Sequence, residues 1–145
     1  MDQLDKEIIG ILQNDGRTSN AKIARALDVS EGTIRRRLKR LTDGNIIKIL
    51  AFPDPSKIGY ATEAMIALQV DPGKIEDVAV SLAQSNETVT VSITTGAFDI
   101  FAWVAMTTQE ELHAFILGTV GKIEGVRRSE TFMSMSVKKR SLAIL

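Results

Sequence analysis

Residues 30–44 read Ser-Glu-Gly-Thr-Ile-Arg-Arg-Arg-Leu-Lys-Arg-Leu-Thr-Asp-Gly. Five of the six residues from Arg35 to Arg40 are basic. The apolar positions Ile34, Leu38 and Leu41 recur at helical spacing, so the stretch predicts a helix with one buried stripe and a cationic outer face. Ser30 is placed to cap it by accepting from a first-turn N–H, and Glu31 sets a negative charge at the positive end of the macrodipole. Thr42-Asp43-Gly44 supplies the stop, with Gly44 expected in the left-handed conformation. At about 100° per residue, Gly32, Thr33, Arg36, Lys39 and Arg40 fall opposite the stripe. Arg37 falls on its edge, where the stem lies on the core and the guanidinium is expected to pair with a carboxylate. Taken alone, such a charge run is equally the solvated face of an ordinary helix.

The residues upstream give it a context. Asn20 to Leu27 carries Ile23, Ala24 and Leu27 on one face, with Ser19 or Asn20 as cap, and only Asp28-Val29-Ser30 separates it from the basic helix. Two short helices joined in this way make a helix-turn-helix. Leu4, Ile8, Ile11 and Leu12 form a third stripe that ends at Asp15-Gly16 and offers the other two a surface to pack on. In such a unit the second helix of the pair enters the major groove of double-stranded DNA. Gly32, Thr33 and Arg36 are then candidates for base edges, and Lys39, Arg40, Lys22 and Arg17 for phosphates, with Arg35 in the same cationic run.

Composition sets the outer bounds. The 145 residues carry equal numbers of acidic and basic side chains. Residues 1–55 hold ten Lys/Arg against eight Asp/Glu, and residues 56–145 hold eight against ten, so the positive charge is local. A confined patch of this kind gives salt-dependent binding on a neutral whole. No cysteine is present, which excludes disulfide and thiolate chemistry and suits a reducing compartment. With no basic leader running into an apolar segment and no apolar stretch of bilayer length, a cytoplasmic location and no membrane contact are expected.

Pro53-Asp54-Pro55 marks a boundary. Ile46, Ile47, Ile49, Leu50 and Phe52 before it form a strand-like run apolar on both faces, which is expected to pair with the same segment of a second subunit. The expected division is a helix-turn-helix (winged-helix-like) domain over 1–45, a linker strand over 46–61 and a second domain over 62–145. In the latter, Thr62 to Val70 reads as a strand, Pro72 to Ala83 as a helix, and Glu87 to Thr95 and Phe98 to Met106 as strands. Thr108 to Val120 follows as a helix and Val126 to Val137 as a strand. The order βαββαβ predicts an α+β, ferredoxin-like fold with helices on one face of a four-stranded sheet. In the strand after Phe98, both faces are largely apolar. Ser141 to Leu145 are too few to cover the open face, so two sheets packed face to face in a homodimer are expected.

Leu4-Asp5 with Ile8, Asp15-Gly16-Arg17, Ser30-Glu31-Gly32-Thr33-Ile34 with Arg37 and Leu41, Gly44-Asn45-Ile46-Ile47 and Ile58-Gly59 together resemble the Lrp/AsnC (feast/famine) family of bacterial and archaeal transcription regulators. Thr95-Gly96-Ala97-Phe98-Asp99 resembles that family's Gly-x-aromatic-Asp loop, and Gly125-Val126 to Thr131 its final strand. The resemblance implies a regulator that binds a small-molecule effector, commonly an amino acid, at an interface between dimers that can close into an octamer. It places the ligand at Thr95, Gly96, Ala97, Phe98 and Asp99. Gly96-Ala97 reads as a two-residue hairpin turn whose free N–H groups suit a carboxylate, while Asp99 suits an ammonium. The alternative is that Gly96 is only turn chemistry and Asp99 a solvated strand end.

An enzyme is not expected. Sirohaem decarboxylases resemble this architecture but rely on catalytic histidine and tyrosine, and this chain offers one of each, His113 on a predicted helix and Tyr60 in the linker. Neither a metal cluster nor a nucleophile–base pair can be assembled from that inventory, and no cofactor is expected. A ligand-binding assembly protein that no longer binds DNA is the remaining alternative, and the intact run Arg35 to Arg40 argues against it.

Overall fold

The computed structural model describes residues 1–140, so Ser141–Leu145, weighed above as a cover for the sheet, lie outside the described residues. The chain divides into two units, which comprise Met1–Phe52 and Pro53–Lys138.

The first unit holds α1 (Gln3–Asn14), α2 (Asn20–Ala26) and α3 (Glu31–Asp43). Each begins at a side-chain cap that accepts a backbone N–H from three residues on: Asp2 from Asp5, Ser19 from Lys22 and Ser30 from Thr33. Ser19, rather than Asn20, therefore opens α2. The stripes converge on a core of Ile8, Ile23, Ala24 and Ile34, flanked by Leu4, Ile11, Leu12, Leu27, Val29 and Leu38. The α3 terminus differs from the expected stop. Gly44 has φ −79° and the left-handed residue is Asn45, at φ 52°. The N–H groups of Ile46 and Asn45 reach back to the carbonyls of Leu41 and Thr42, which is the Schellman arrangement with its left-handed position one residue later. A Cβ on Gly44 would lie 3.0 Å from the Arg40 carbonyl oxygen, so the glycine serves close approach and the asparagine takes the positive φ.

The linker strand expected over 46–61 is not formed in the single chain. A strand apolar on both faces needs neighbours, and Ile46 to Phe52 find no ladder partner among the described residues. Ile46, Ile49, Leu50 and Phe52 stay exposed. With α1 this segment lines a groove of about 530 Å³ whose walls include Ile9, Leu12, Ile47, Leu50 and Phe52. Pro55–Ile58 forms a 3-10 turn capped by Asp54.

The second unit runs β1 (Thr62–Val70), α4 (Ile75–Ala83), β2 (Thr88–Ile93), β3 (Ile100–Met106), α5 (Gln109–Gly118) and β4 (Val126–Met133). This is the expected βαββαβ order, folded as one antiparallel sheet in the order β2-β3-β1-β4. Three strands are shorter than predicted. β2 covers Thr88–Ile93 rather than Glu87–Thr95. Phe98 and Asp99 belong to the β2–β3 loop. Beyond Met133 only the Ser134 N–H reaches β1, at the Glu63 carbonyl, because β1 itself starts at Thr62. Ile66, Leu68, Val70, Ile100, Ala102 and Val104 meet Val78 and Leu82 of α4 and Leu112 and Phe115 of α5 in the core. Gly125 turns the chain into β4 at φ +96°, where a Cβ would sit 2.6 Å from that of Lys74, so only glycine fits.

The opposite sheet face is apolar across three adjacent strands. Met65 stands opposite Trp103 on one side and Phe132 on the other, and Ala67 stands opposite Phe101. Met65 is 39% and Phe132 50% exposed, so much of this row has no cover in the single chain.

Candidate nucleic-acid interface and effector loop

The basic run of α3 divides according to what each side chain meets. Arg37, on the edge of the stripe, is mostly buried and pairs with Asp2 and, at 3.1 Å, with Asp5, as its position predicts. Arg40 was expected on the open face, but its guanidinium is tied to Asp5 at 2.5 Å, although more than half of its side-chain surface remains in solvent. Arg35 pairs with Glu31 one turn back, in an exposed contact that contributes little. Arg36 and Lys39 are exposed and make no ion pair or side-chain hydrogen bond among the described residues. They are the cations of α3 left wholly available to a polyanion.

The remaining predicted residues surround this pair in sequence. Gly32 is open, since a Cβ there would meet nothing nearer than the Ser30 hydroxyl at 3.9 Å, and a duplex can approach the helix backbone closely. Thr33 is half-buried with its hydroxyl 2.9 Å from that of Ser30. Lys22, in the first turn of α2, is exposed. Arg17 is also exposed, and its backbone N–H donates to the Asp15 carboxylate, which fixes the loop before α2.

The acids that organise α3 were not among the sequence candidates. Asp5 is wholly buried, and its oxygens accept from Arg37, from Arg40 and from the backbone N–H of Asp2. Asp2 accepts in return from the Asp5 N–H, completing a capping box. The signal was present as an acid three residues after an acidic cap. Its long-range partners on α3 were not readable from spacing. Arg37, by its side-chain hydrogen bond, and the Asp5 N–H pull the Asp2 carboxyl down from 3.8 to about 2. Reciprocally, Asp2 first and Asp5 second raise Arg37 above its ordinary range. A depressed acid stabilises the fold above its unfolded pKa and ceases to do so as pH falls through the folded value. Urea melts should therefore show a stability gap between the wild type and Asp2→Asn that is constant above about pH 4 and closes towards pH 2. A gap that widens on acidification would contradict the assignment.

In the second unit, Gly96-Ala97 is not a two-residue turn. The loop closes through the Thr94 N–H on the Asp99 carbonyl at 2.8 Å, and the Thr94 hydroxyl holds the Phe98 carbonyl, so the connection spans Thr94–Asp99. Gly96 adopts φ +118° at its exposed tip. Asp99, expected to face an ammonium, directs one oxygen to the Val70 N–H at 2.8 Å. Its own N–H donates to the Leu68 carbonyl, so the side chain fastens the loop to β1. Gln69, which sequence reasoning missed, clasps the loop from β1 by donating to the Ala97 carbonyl at 2.9 Å. The N–H groups of Thr95, Gly96, Ala97 and Phe98 meet no acceptor among the described residues. Phe98 packs edge-on against Phe101 at 5.9 Å between centroids. His113 and Tyr60 are both exposed. Among the described residues no helix is long and apolar enough to cross a membrane.

A family model described as the AsnC-type helix-turn-helix domain matches residues 1–42, and one described as the Lrp/AsnC ligand binding domain matches residues 63–144. An uncharacterized HTH-type transcriptional regulator of Pyrococcus furiosus is 46% identical over 140 residues, covering 96% of this chain and 95% of its own. The HTH-type transcriptional regulator FL11 of Pyrococcus horikoshii is 36% identical over 142 residues, covering 97% and 93%. Among solved structures, E. coli AsnC superposes with a TM-score of 0.89 at 22% identity, over 99% of this chain and 97% of that one. A transcriptional regulator from Neisseria meningitidis, solved as an L-Met complex, superposes with a TM-score of 0.91 at 24% identity, over 100% and 96%. At such identities these two likenesses speak for the fold alone.

Proposed function

This chain belongs to the Lrp/AsnC family of helix-turn-helix transcriptional regulators, and from that premise we propose that it is a sequence-specific DNA-binding protein working as a dimer or higher oligomer under control of a small zwitterion. The family is one of regulators rather than enzymes, and the second domain is its ligand-binding module. The observation that carries the DNA reading is the pair Arg36 and Lys39, free of partners on the solvent side of a helix capped by Ser30. Arg36 lies in the first half of α3 and reads a base edge. Lys39, Lys22 and Arg17 take phosphates, and Arg35 adds a cation held loosely by Glu31. Gly32 and Thr33 line the approach.

Dimerisation supplies the second recognition helix. The row Trp103, Met65 and Phe132 is suited to face its own copy, and the exposed segment Ile46–Phe52 to pair with its equivalent. Half-sites then lie about one helical turn, roughly 34 Å, or a multiple of it apart. An amino acid is the effector class favoured by four consecutive unpaired N–H groups at Thr95–Phe98, which suit a carboxylate. The Neisseria protein of the same fold was solved as an L-Met complex. Binding at this loop works by favouring one assembly, up to an octamer, over another.

Thermal melts of the protein with each amino acid in turn test the sensing half. One or a few should raise the Tm by several degrees, since ligand at about one hundred times its Kd adds about 2.7 kcal/mol. The same ligands should shift the sedimentation profile or the DNA affinity. If none does either, the effector reading fails.

A further inference from the structure

We infer that Asp5, although wholly buried, is a positioning residue for DNA: it holds Arg40 in the attitude from which its guanidinium meets a backbone phosphate. This rests on the DNA-binding reading above. Among the basic residues of α3, Arg40 is alone in being both anchored to a buried group and largely exposed. Arg37 is anchored but mostly buried, Arg36 and Lys39 are exposed without an anchor, and the Arg35–Glu31 pair is exposed at both ends. One Nη of Arg40 donates to Asp5 Oδ2, and its other N–H donors have no acceptor among the described residues. A guanidinium presents five N–H groups in a rigid fork, so it can keep this bond and offer another edge to a phosphate.

The anchor is held from several sides. Asp5 sits in the first turn of α1, is itself part of the capping box, and is gripped by Arg37 through its other oxygen. Arg40 therefore does not have to give up the freedom of a long side chain when DNA arrives, as an unanchored arginine does. Pulling Arg40 away would leave Asp5 buried with one guanidinium, which it shares with Asp2, so the arginine bridges acid and phosphate rather than exchanging one for the other.

Positioning and simple charge predict opposite signs. If only net charge mattered, replacing Asp5 by neutral asparagine would tighten binding to a polyanion. If Asp5 positions Arg40, the same change weakens it. The test is a double-mutant cycle on full-length protein, with Asp5→Asn, Arg40→Ala and the pair titrated against one duplex over a range of salt, each shown by circular dichroism to be folded at the assay temperature. Asp5→Asn is expected to weaken binding about two- to tenfold per chain, the scale of ordering one such side chain. Arg40→Ala should weaken it at least as much and lower the salt slope by about one. In the Arg40→Ala background, Asp5→Asn should then have no further effect. Tighter binding by Asp5→Asn, or an equal loss in both backgrounds, overturns the inference.

Should Asp5→Asn not fold, Arg40→Lys decides. It keeps the charge and a partner for Asp5 but loses the fork, so the expected loss is again two- to tenfold, and wild-type affinity would overturn the inference. Failure of the two readings is distinguishable. A wild type that binds no duplex sinks both, whereas a wild type weakened by Arg36→Ala but additive in the cycle sinks only this one.

Discussion

Arg36→Ala is expected to cost the preferred duplex about 1–3 kcal/mol, roughly 5- to 150-fold in affinity, while unrelated DNA loses far less. The size follows from what the side chain lacks. With no carboxylate or carbonyl partner among the described residues, Arg36 has no intramolecular bond to break before meeting a base edge, so the loss of a bidentate contact appears in full. Lys39→Ala should behave differently. A phosphate contact carries no sequence information, so affinity falls for all duplexes alike and the slope of log affinity against log salt drops by about 0.9. Competition gel shifts with preferred and scrambled duplexes separate the two effects. Unchanged discrimination in both variants, with affinity falling for all duplexes alike, would mean that the face is electrostatic only.

Asp5→Ala should damage the first unit severely, at about 2–3 kcal/mol. Breaking a buried ion pair usually costs about 3–5 kcal/mol because the surviving charge stays buried. Here the survivors, Arg37 and Arg40, keep 22% and 56% of their side-chain surface in water and can rehydrate, which brings the cost to the bottom of that range or just below it. The reciprocal half of the α1 capping box is lost as well. A unit of about fifty residues has only about 3–8 kcal/mol of stability at typical values per residue. The first unit should therefore lose most of its protection against amide exchange while the sheet of the second keeps its own. A change in unfolding free energy below about 0.5 kcal/mol would show that the Asp5 contacts are incidental.

Periodicity was enough to locate α1 to α3 and the βαββαβ order, because each element buries a stripe or a face that its own residues announce. Ile34, Leu38 and Leu41 place the α3 stripe inward, and with it Arg37, whose pairing with acids follows from its angular position. Contacts between elements distant in sequence were not legible. The hold of Asp5 on Arg40 spans 35 residues, and no local pattern distinguishes Arg40 from Lys39. The β2–β3 loop misled for a related reason. Gly96-Ala97 resembles a tight turn, but Gln69 and the Asp99 carboxylate, acting with β1, hold open a longer connection. The segment Ile46–Phe52 shows a different limit, since an apolar pattern predicts that a strand must be covered and cannot create the cover within one chain.

Hydroxyl-radical footprinting of the wild type on a selected operator tests the central claim most directly, because it reports where the recognition helices lie. Paired α3 helices presenting Arg36 and Lys39 should give two or more protected windows on one face of the duplex, centred about 10 base pairs or a multiple of that apart, and Arg36→Ala should erase them at protein concentrations that still coat DNA nonspecifically. A single unphased window, or a pattern unchanged by Arg36→Ala, would contradict the account.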